Sequence, residues 1–426
     1  MTIMKNLALI TSIVLSGNLL AQDYRIANWY NDYEACMVQT YDDMNSDHVN
    51  ICTPQLKARG MGGTMFVDYD QQSHVTLSGG WQGLMDAADD GMEMANHTQN
   101  HPDLTAMKNN APGLISEIST FRDFLNTNIT NQDCNTFAYP YGNGNLDWQV
   151  TDEIKKGHIG ARDAGLPGTG SWGWSPNWLY EFGSNEDDYF QIPTIAEHFL
   201  KPKIQAEVDN LLQYGGLMTV MWHAIVASDH EQYLDDVLAA CNGKVWHSNF
   251  QDAIKYHRER RVSVLNSKYE NGTEWVLELT DTLNDVIFNH PLTIHLKYGD
   301  KIVLGVKQNG VTLSYETEGD EIVFNAVPDG GDIVVEKQFM VGENELSTKL
   351  IGEVFPNPTT GVLNINLVNV DHSVVKVYNN LGMIIKSVGL HSSIGILNID
   401  ELKPCLLYTS DASDGAVGVD LGGPRF

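Results

Sequence analysis

The spacing of apolar residues changes period near Val262, and that change limits what this chain can fold into. From about Tyr24 to Arg261, short apolar runs such as Gly63–Val67 and Leu217–Met221 alternate with longer stretches of helical spacing. Two such stretches cover 114–126 and 230–241, the second with Tyr233, Leu234, Val237 and Leu238 on one face. Alternating strand and helix signals predict an α/β domain, barrel or layered, with its functional residues at the carboxyl ends of strands. Beyond Val262 the period is two: Trp275, Leu277 and Leu279, then Ile302, Leu304 and Val306, then Val311, Leu313 and Tyr315 across a Gln308-Asn309-Gly310 turn. Residues 262–348 therefore read as a small antiparallel β module, and 426 residues leave room for two or three units.

A further unit opens with Phe355-Pro356-Asn357-Pro358 and alternates at Leu363, Ile365 and Leu367, then at Val375 and Val377. Its Pro356-Asn357-Pro358, Thr359-Thr360-Gly361 and Val375-Lys376-Val377-Tyr378-Asn379-Asn380-Leu381-Gly382 resemble the C-terminal sorting domain of the type IX secretion system of Bacteroidetes. The resemblance covers 349–404 and stops where a final strand is expected. Residues 405–426, beginning Cys405-Leu406-Leu407-Tyr408-Thr409-Ser410, resemble translated sequencing-adapter DNA and are expected to lie outside the native fold.

At the other end, Lys5 precedes an apolar run from Leu7 to Leu15, and Ala21 precedes Gln22. This order predicts a signal peptide over 1–21 and export. The protein is thus expected to be secreted or displayed on the cell surface after passing through the periplasm, with the type IX machinery as a partner. No later run of about 20 apolar residues suggests a membrane span. Export permits disulfides among Cys36, Cys52, Cys134, Cys241 and Cys405; only Cys36 and Cys52 are close in sequence, and the connectivity stays open. Lys and Arg number 26 against 55 Asp and Glu, a net charge of −29, which argues against nucleic-acid phosphates and anionic membrane surfaces as partners.

Chemistry concentrates before residue 262. His97 and His101, four apart, have a spacing at which two imidazoles on a helical turn share a metal. The acidic pair Asp42-Asp43 follows the apolar run Cys36-Met37-Val38, at the predicted end of a strand. One carboxylate with two imidazoles makes a three-ligand site with open positions for water and substrate, and the second carboxylate is a candidate base.

Thr40-Tyr41-Asp42-Asp43, His97-Thr98-Gln99-Asn100-His101, Tyr139-Pro140-Tyr141-Gly142 and Met221-Trp222-His223, in this order, resemble the motifs of the polysaccharide deacetylases, the NodB-homology or carbohydrate esterase family 4 enzymes. The resemblance covers 22–261 and implies a distorted (β/α)7 barrel, here followed by small antiparallel β-sandwich modules. It implies Asp43, His97 and His101 as ligands of Zn2+, or of another divalent transition metal such as Co2+. It also implies Asp42 as general base, His223 as general acid and the Tyr141 backbone N–H as oxyanion donor, with acetyl groups of an acetylated polysaccharide or oligosaccharide as substrate. Pro140, Tyr141 and Trp222 would contact substrate. Trp172 and Trp174, crowded with Trp178 in 170–178, suit either stacking on sugar rings or core packing.

Two positions depart from the family pattern. Ala138 stands where many members have an Arg that orients the base, and Arg162, in Gly160-Ala161-Arg162-Asp163, is the candidate replacement or else a structural salt bridge. Met44 follows the acidic pair where Gly is usual. The bond cleaved stays open between the N-acetyl amide of chitin-like or peptidoglycan-like glycans and the O-acetyl ester of acetylxylan. The competing expectations are a carbohydrate-binding protein that has lost turnover on the same fold, or a surface adhesion protein working through 262–348.

Overall fold

The computed structural model describes residues 24–69, 72–164, 189–299 and 301–339, and, further on, 351–355, 361–367, 373–378, 384–390, 394–399, 406–411 and 416–422. The expected signal segment and Trp172, Trp174 and Trp178 lie outside these residues. Two compact units, Met1–Gln338 and Phe339–Phe426, make up the chain.

In the first unit, strands β2 (Ala35–Tyr41), β3 (Gly63–Val67), β4 (Met92–Asn96), β5 (Thr136–Ala138), β6 (Gly160–Arg162), β7 (Ile195–Ala196), β8 (Leu217–Trp222) and β9 (Val245–Ser248) form one parallel sheet. Seven of them run in the order β6-β5-β4-β3-β2-β8-β7. Strand β2 pairs with β8 along one edge and divides the other, Ala35–Val38 with β9 and Gln39–Tyr41 with β3. The ring closes where Arg162 bridges Ile192, three residues ahead of β7, with the Asp163 N–H donating to Ile192 O at 2.8 Å. This is the distorted (β/α)7 barrel that the motifs imply. Every residue of β2, β3, β4 and β8 is buried, as parallel strands covered on both faces must be.

The helices 204–214, 227–241 and 250–262 flank the barrel. The first ends at Gly215, whose φ of 66° is a left-handed stop that a side chain would resist, and the third is capped by Asn249, which accepts from the Asp252 N–H at 2.8 Å.

After Val262 the alternation becomes two antiparallel sheets. One contains β10 (Val264–Glu270), β11 (Glu274–Thr280), β17 (Ile333–Phe339), β13 (Lys301–Gln308) and β14 (Val311–Leu313), in that order. The Asn309-Gly310 corner joining β13 to β14 has φ of 47° and 81°, the left-handed pair that a two-residue hairpin requires. The other sheet contains β12 (Leu292–Lys297), β16 (Glu321–Ala326) and β15 (Tyr315–Glu318), and the edge strand beside β12 is β1 (Tyr24–Ile26). Residues 24–26, expected within the barrel segment, therefore belong to the module's sheet. Alternation is what lets them do so, because Tyr24 packs edge-on against Trp275 of the facing sheet. Trp275, Leu277 and Leu279 point into the core as their period predicts, whereas Ile302 and Leu304 are exposed and only Val306 of that run is buried.

In the second unit, Ile351–Phe355, Val362–Leu367 and Ile394–Asn398 form one antiparallel sheet, and Ser373–Tyr378 pairs with Ile384–Leu390 in another. The segment expected to stay outside the fold supplies two strands to the latter: Leu406–Asp411 pairs with Ala416–Gly422, which runs parallel to Ser373–Tyr378. Val417, Val419 and Leu421 alternate there.

Candidate active site

The carboxyl ends of β2, β4, β5, β6 and β8 bring the motif residues to one end of the barrel. Asp42 leaves β2 with its N–H donating to Trp222 O at 2.9 Å, so the first and last motifs are joined through the backbone. The chain then turns through Asp43 and Met44 at φ of 68° and 40°. Met44 thus adopts a left-handed conformation that a glycine takes more easily, and it is completely buried.

His97 and His101 lie on a loop, not on the helical turn expected from their spacing. Thr98 and His101 take φ of 71° and 50°, and side chains fix the loop: Asn96 Oδ1 accepts the Thr98 N–H at 2.8 Å, Thr98 Oγ1 the His101 N–H at 3.1 Å, and Glu117 the N–H and amide of Asn100 at 2.8 and 2.7 Å. The loop places the two rings 4.8 Å apart, edge to face.

Asp43 Oδ1 is 3.5 Å from His97 Nε2 and 3.3 Å from His101 Nε2, and His223 Nε2 is 3.9 Å from Asp43 Oδ2. Oδ1 is buried and makes no hydrogen bond of ordinary geometry. Ligand atoms of one tetrahedral zinc, each about 2.1 Å from it, stand roughly 3.4 Å apart, so these spacings suit two imidazoles and a carboxylate around one ion. His97 Nδ1 lies 2.9 Å from Ala138 O. It therefore carries the proton and leaves Nε2 free as a ligand. The three side chains fit a divalent transition ion on donor type, spacing and tautomer.

Asp42 is 4 % exposed, and its Oδ1 accepts from the Arg162 guanidinium. Arg162 is itself buried; it also donates to Asp163 O at 2.9 Å and lies 4.9 Å from the centre of the Phe66 ring. Burial alone would raise the Asp42 carboxyl, but Arg162, with His97 and His223, outweighs it and holds the group below the ordinary carboxylate range. Asp43 is likewise held down to about 2, its burial overcome by His97, His223 and His101. Burial would lower His97, yet Asp42 and Asp43 keep it above its usual value.

Tyr141, at φ 59°, is 65 % exposed, and its ring stands edge to face with that of His101 at 4.6 Å. Pro140 is buried. His223 is half exposed at the rim. Trp222, expected at the substrate, is instead 2 % exposed: its Nε1 donates to Gln39 at 3.0 Å and its ring packs among Tyr41, His230 and Tyr233. Consecutive strand residues face opposite ways, so with His223 at the mouth the indole turns into the wall. His48 is fully buried, and its Nε2 lies 2.6 Å from His223 O, bracing the segment that carries His223. A lone histidine in a polar stretch gives no sequence signal for that contact.

A family model described as polysaccharide deacetylase matches residues 30–156, and one described as secretion system C-terminal sorting domain matches residues 353–404. A gellan lyase from Bacillus sp is 24% identical over 336 residues, 74% of this chain; the chain spans 13% of the length of that curated relative. Among solved structures, the Streptococcus pyogenes deacetylase PplD in complex with acetate shares 23% identity over 30% of this chain and 54% of its own, with a TM-score of 0.26. The peptidoglycan deacetylase PdaC from Bacillus subtilis shares 16% over 54% of this chain and 95% of its own, at 0.35. A carbohydrate esterase family 4 pseudoenzyme from Bacillus anthracis shares 14% over 51% and 65%, also at 0.35.

Residues 30–156, which carry the first three motifs, are thus similar to the polysaccharide deacetylase domain. Residues 353–404 are similar in turn to a secretion system C-terminal sorting domain, so a deacetylase-like segment precedes a sorting-like segment in the chain. Among the described residues no helix is long and apolar enough to cross a membrane.

Proposed function

We propose that the barrel removes acetyl groups from an acetylated polysaccharide or oligosaccharide by metal-assisted hydrolysis, with Asp43, His97 and His101 holding the ion. The observation that carries this reading is the buried Asp43 Oδ1, which faces two imidazole nitrogens at ligand spacing with no hydrogen bond of its own. A bound divalent ion of the zinc or cobalt type supplies an acidified water and a Lewis acid for the acetyl carbonyl.

The chain's own groups do the rest. Asp42, ionised and aimed by Arg162, takes the proton of the attacking water. The Tyr141 N–H stabilises the oxyanion. His223, at the rim beside Asp43, delivers a proton to the departing amine or alkoxide. The exposed Tyr141 ring next to His101 offers a flat face to the sugar that carries the acetyl group. The order of events on export, a signal peptide over 1–21 followed by periplasmic passage, belongs to the same reading.

Acetate release by the full chain, stripped of metal and then reloaded with zinc, tests it on acetylxylan and N-acetylated chitooligosaccharides side by side. Metal-restored release from either supports the reading and identifies the bond. Silence from both, with metal bound in the barrel, favours a binding protein on this fold.

A further inference from the structure

A second group of ligand-type side chains lies away from the barrel mouth, where the 30–34 turn meets the β12–β16–β15 sheet. His295, on β12, is 2 % exposed. Its Nδ1 is 3.0 Å from Glu321 Oε2 and 3.0 Å from Arg25 Nη2; the tautomer in which Nδ1 donates to the carboxylate leaves Nε2 free to bind a metal. Nε2 faces Asp32 Oδ1 at 2.9 Å, yet it makes no hydrogen bond, because the carboxylate oxygen sits off the axis of the ring nitrogen. Two ligands of one ion stand in that relation: each about 2.1 Å from the metal, they are roughly 3 to 3.5 Å apart and neither points at the other. Glu318, at the end of β15, brings a third ligand atom within 4.8 Å of both.

The surroundings hold these groups in place. The Asn31 N–H donates to Thr293 Oγ1 at 2.7 Å and Asn325 Nδ2 to Asn31 Oδ1 at 2.7 Å, so the turn that carries Asp32 is tied to the sheet. Asp32 and Glu318 both line an open cleft of about 620 Å³ that gives a solvated ion room to enter. Arg25 approaches from the Nδ1 side of the ring, with Nη2 3.0 Å from that nitrogen and 3.8 Å from Glu321, and Nη1 3.7 Å from Asp32 Oδ1. It shares its charge between Glu321, which is not a ligand, and Asp32, so an ion at the site competes with Arg25 for the Asp32 carboxylate.

We infer that Asp32, His295 and Glu318 form a second divalent-cation site, for a zinc-type ion, that clips the entry of the barrel to the β module. One imidazole and two carboxylates select a borderline transition ion over calcium or magnesium, which take oxygen ligands. The ion would join Asp32, ahead of the barrel's β2, to two strands some 260 residues later in the chain. It has no part in acetyl transfer.

Equilibrium dialysis of the full chain against zinc, with metal counted per chain, tests this inference independently of the barrel site. The expected count is two for the wild type, and one each for His295→Gln, for Glu318→Gln and for His97→Ala. Glu318 is exposed, so its variant leaves the fold intact even if loss of the buried His295 ring does not. In His97→Ala, zinc should still raise the melting temperature. A wild-type count of one that falls to zero in His97→Ala overturns the second site. A count that neither Glu318→Gln nor His295→Gln changes also overturns it.

Discussion

Arg162 and Asp42 stand 120 residues apart and meet as a buried ion pair at the mouth of the barrel. Arg162 is also the residue whose backbone bridges Ile192 and closes the ring of strands, so the cation that faces Asp42 is set by the closure of the fold.

Removing that cation leaves Asp42 buried without its counter-ion, a loss of about 3–5 kcal/mol. Arg162→Leu is therefore expected to lower stability by that amount in urea unfolding. Arg162→Leu combined with Asp42→Asn should recover much of it, since neither charge remains. Equal losses in the single and double variants would show that the pair is not the source.

Base and ligand roles separate by substitution. Asp42→Asn should cut kcat by at least about 10²-fold while metal content stays near that of the wild type, whereas His97→Ala should lose both metal and turnover. Acetate release and metal analysis on the same preparations decide it, and near-native activity in Asp42→Asn would remove Asp42 from the mechanism.

Trp222 is wall, not platform. Trp222→Ala is expected to destabilise the protein by about 3–5 kcal/mol through the cavity it leaves, with KM unchanged for the folded fraction. A raised KM at unchanged stability would restore it to the substrate.

Glu93 makes stability depend on pH. It is buried on β4, and that burial pushes its carboxyl up from 4.5 to about 7, despite hydrogen bonds from Thr136, Thr64 and the Gln251 N–H. Folding favours the protonated form, so this stabilisation is complete below pH 4.5 and is lost as pH rises through about 7. Between pH 5 and 8 the loss from this group is about 2–3 kcal/mol. Urea midpoints at the two values should show it in the wild type, and Glu93→Gln should be flatter.

Much of this arrangement was legible in the chain. Periodicity reports which side of a segment is buried, and it placed β3, β8 and the module strands close to where they lie. The four motifs fall at strand ends, so once a parallel barrel forms their side chains must converge. Local pattern carries no information about which distant segment a residue meets. Whether Arg162 faces Asp42 or an unrelated carboxylate depends on closure of the barrel, and the spacing of His97 and His101 suggested a helical turn where Asn96, Thr98 and Glu117 hold a loop instead. The sequence by itself determined the class of fold, the order of its units and the residue types of the site. Only the tertiary structure decided that Trp222 turns inward, that Tyr24–Ile26 joins a sheet formed some 270 residues later, and that Asp32 meets His295, because each depends on contacts between segments far apart in the chain.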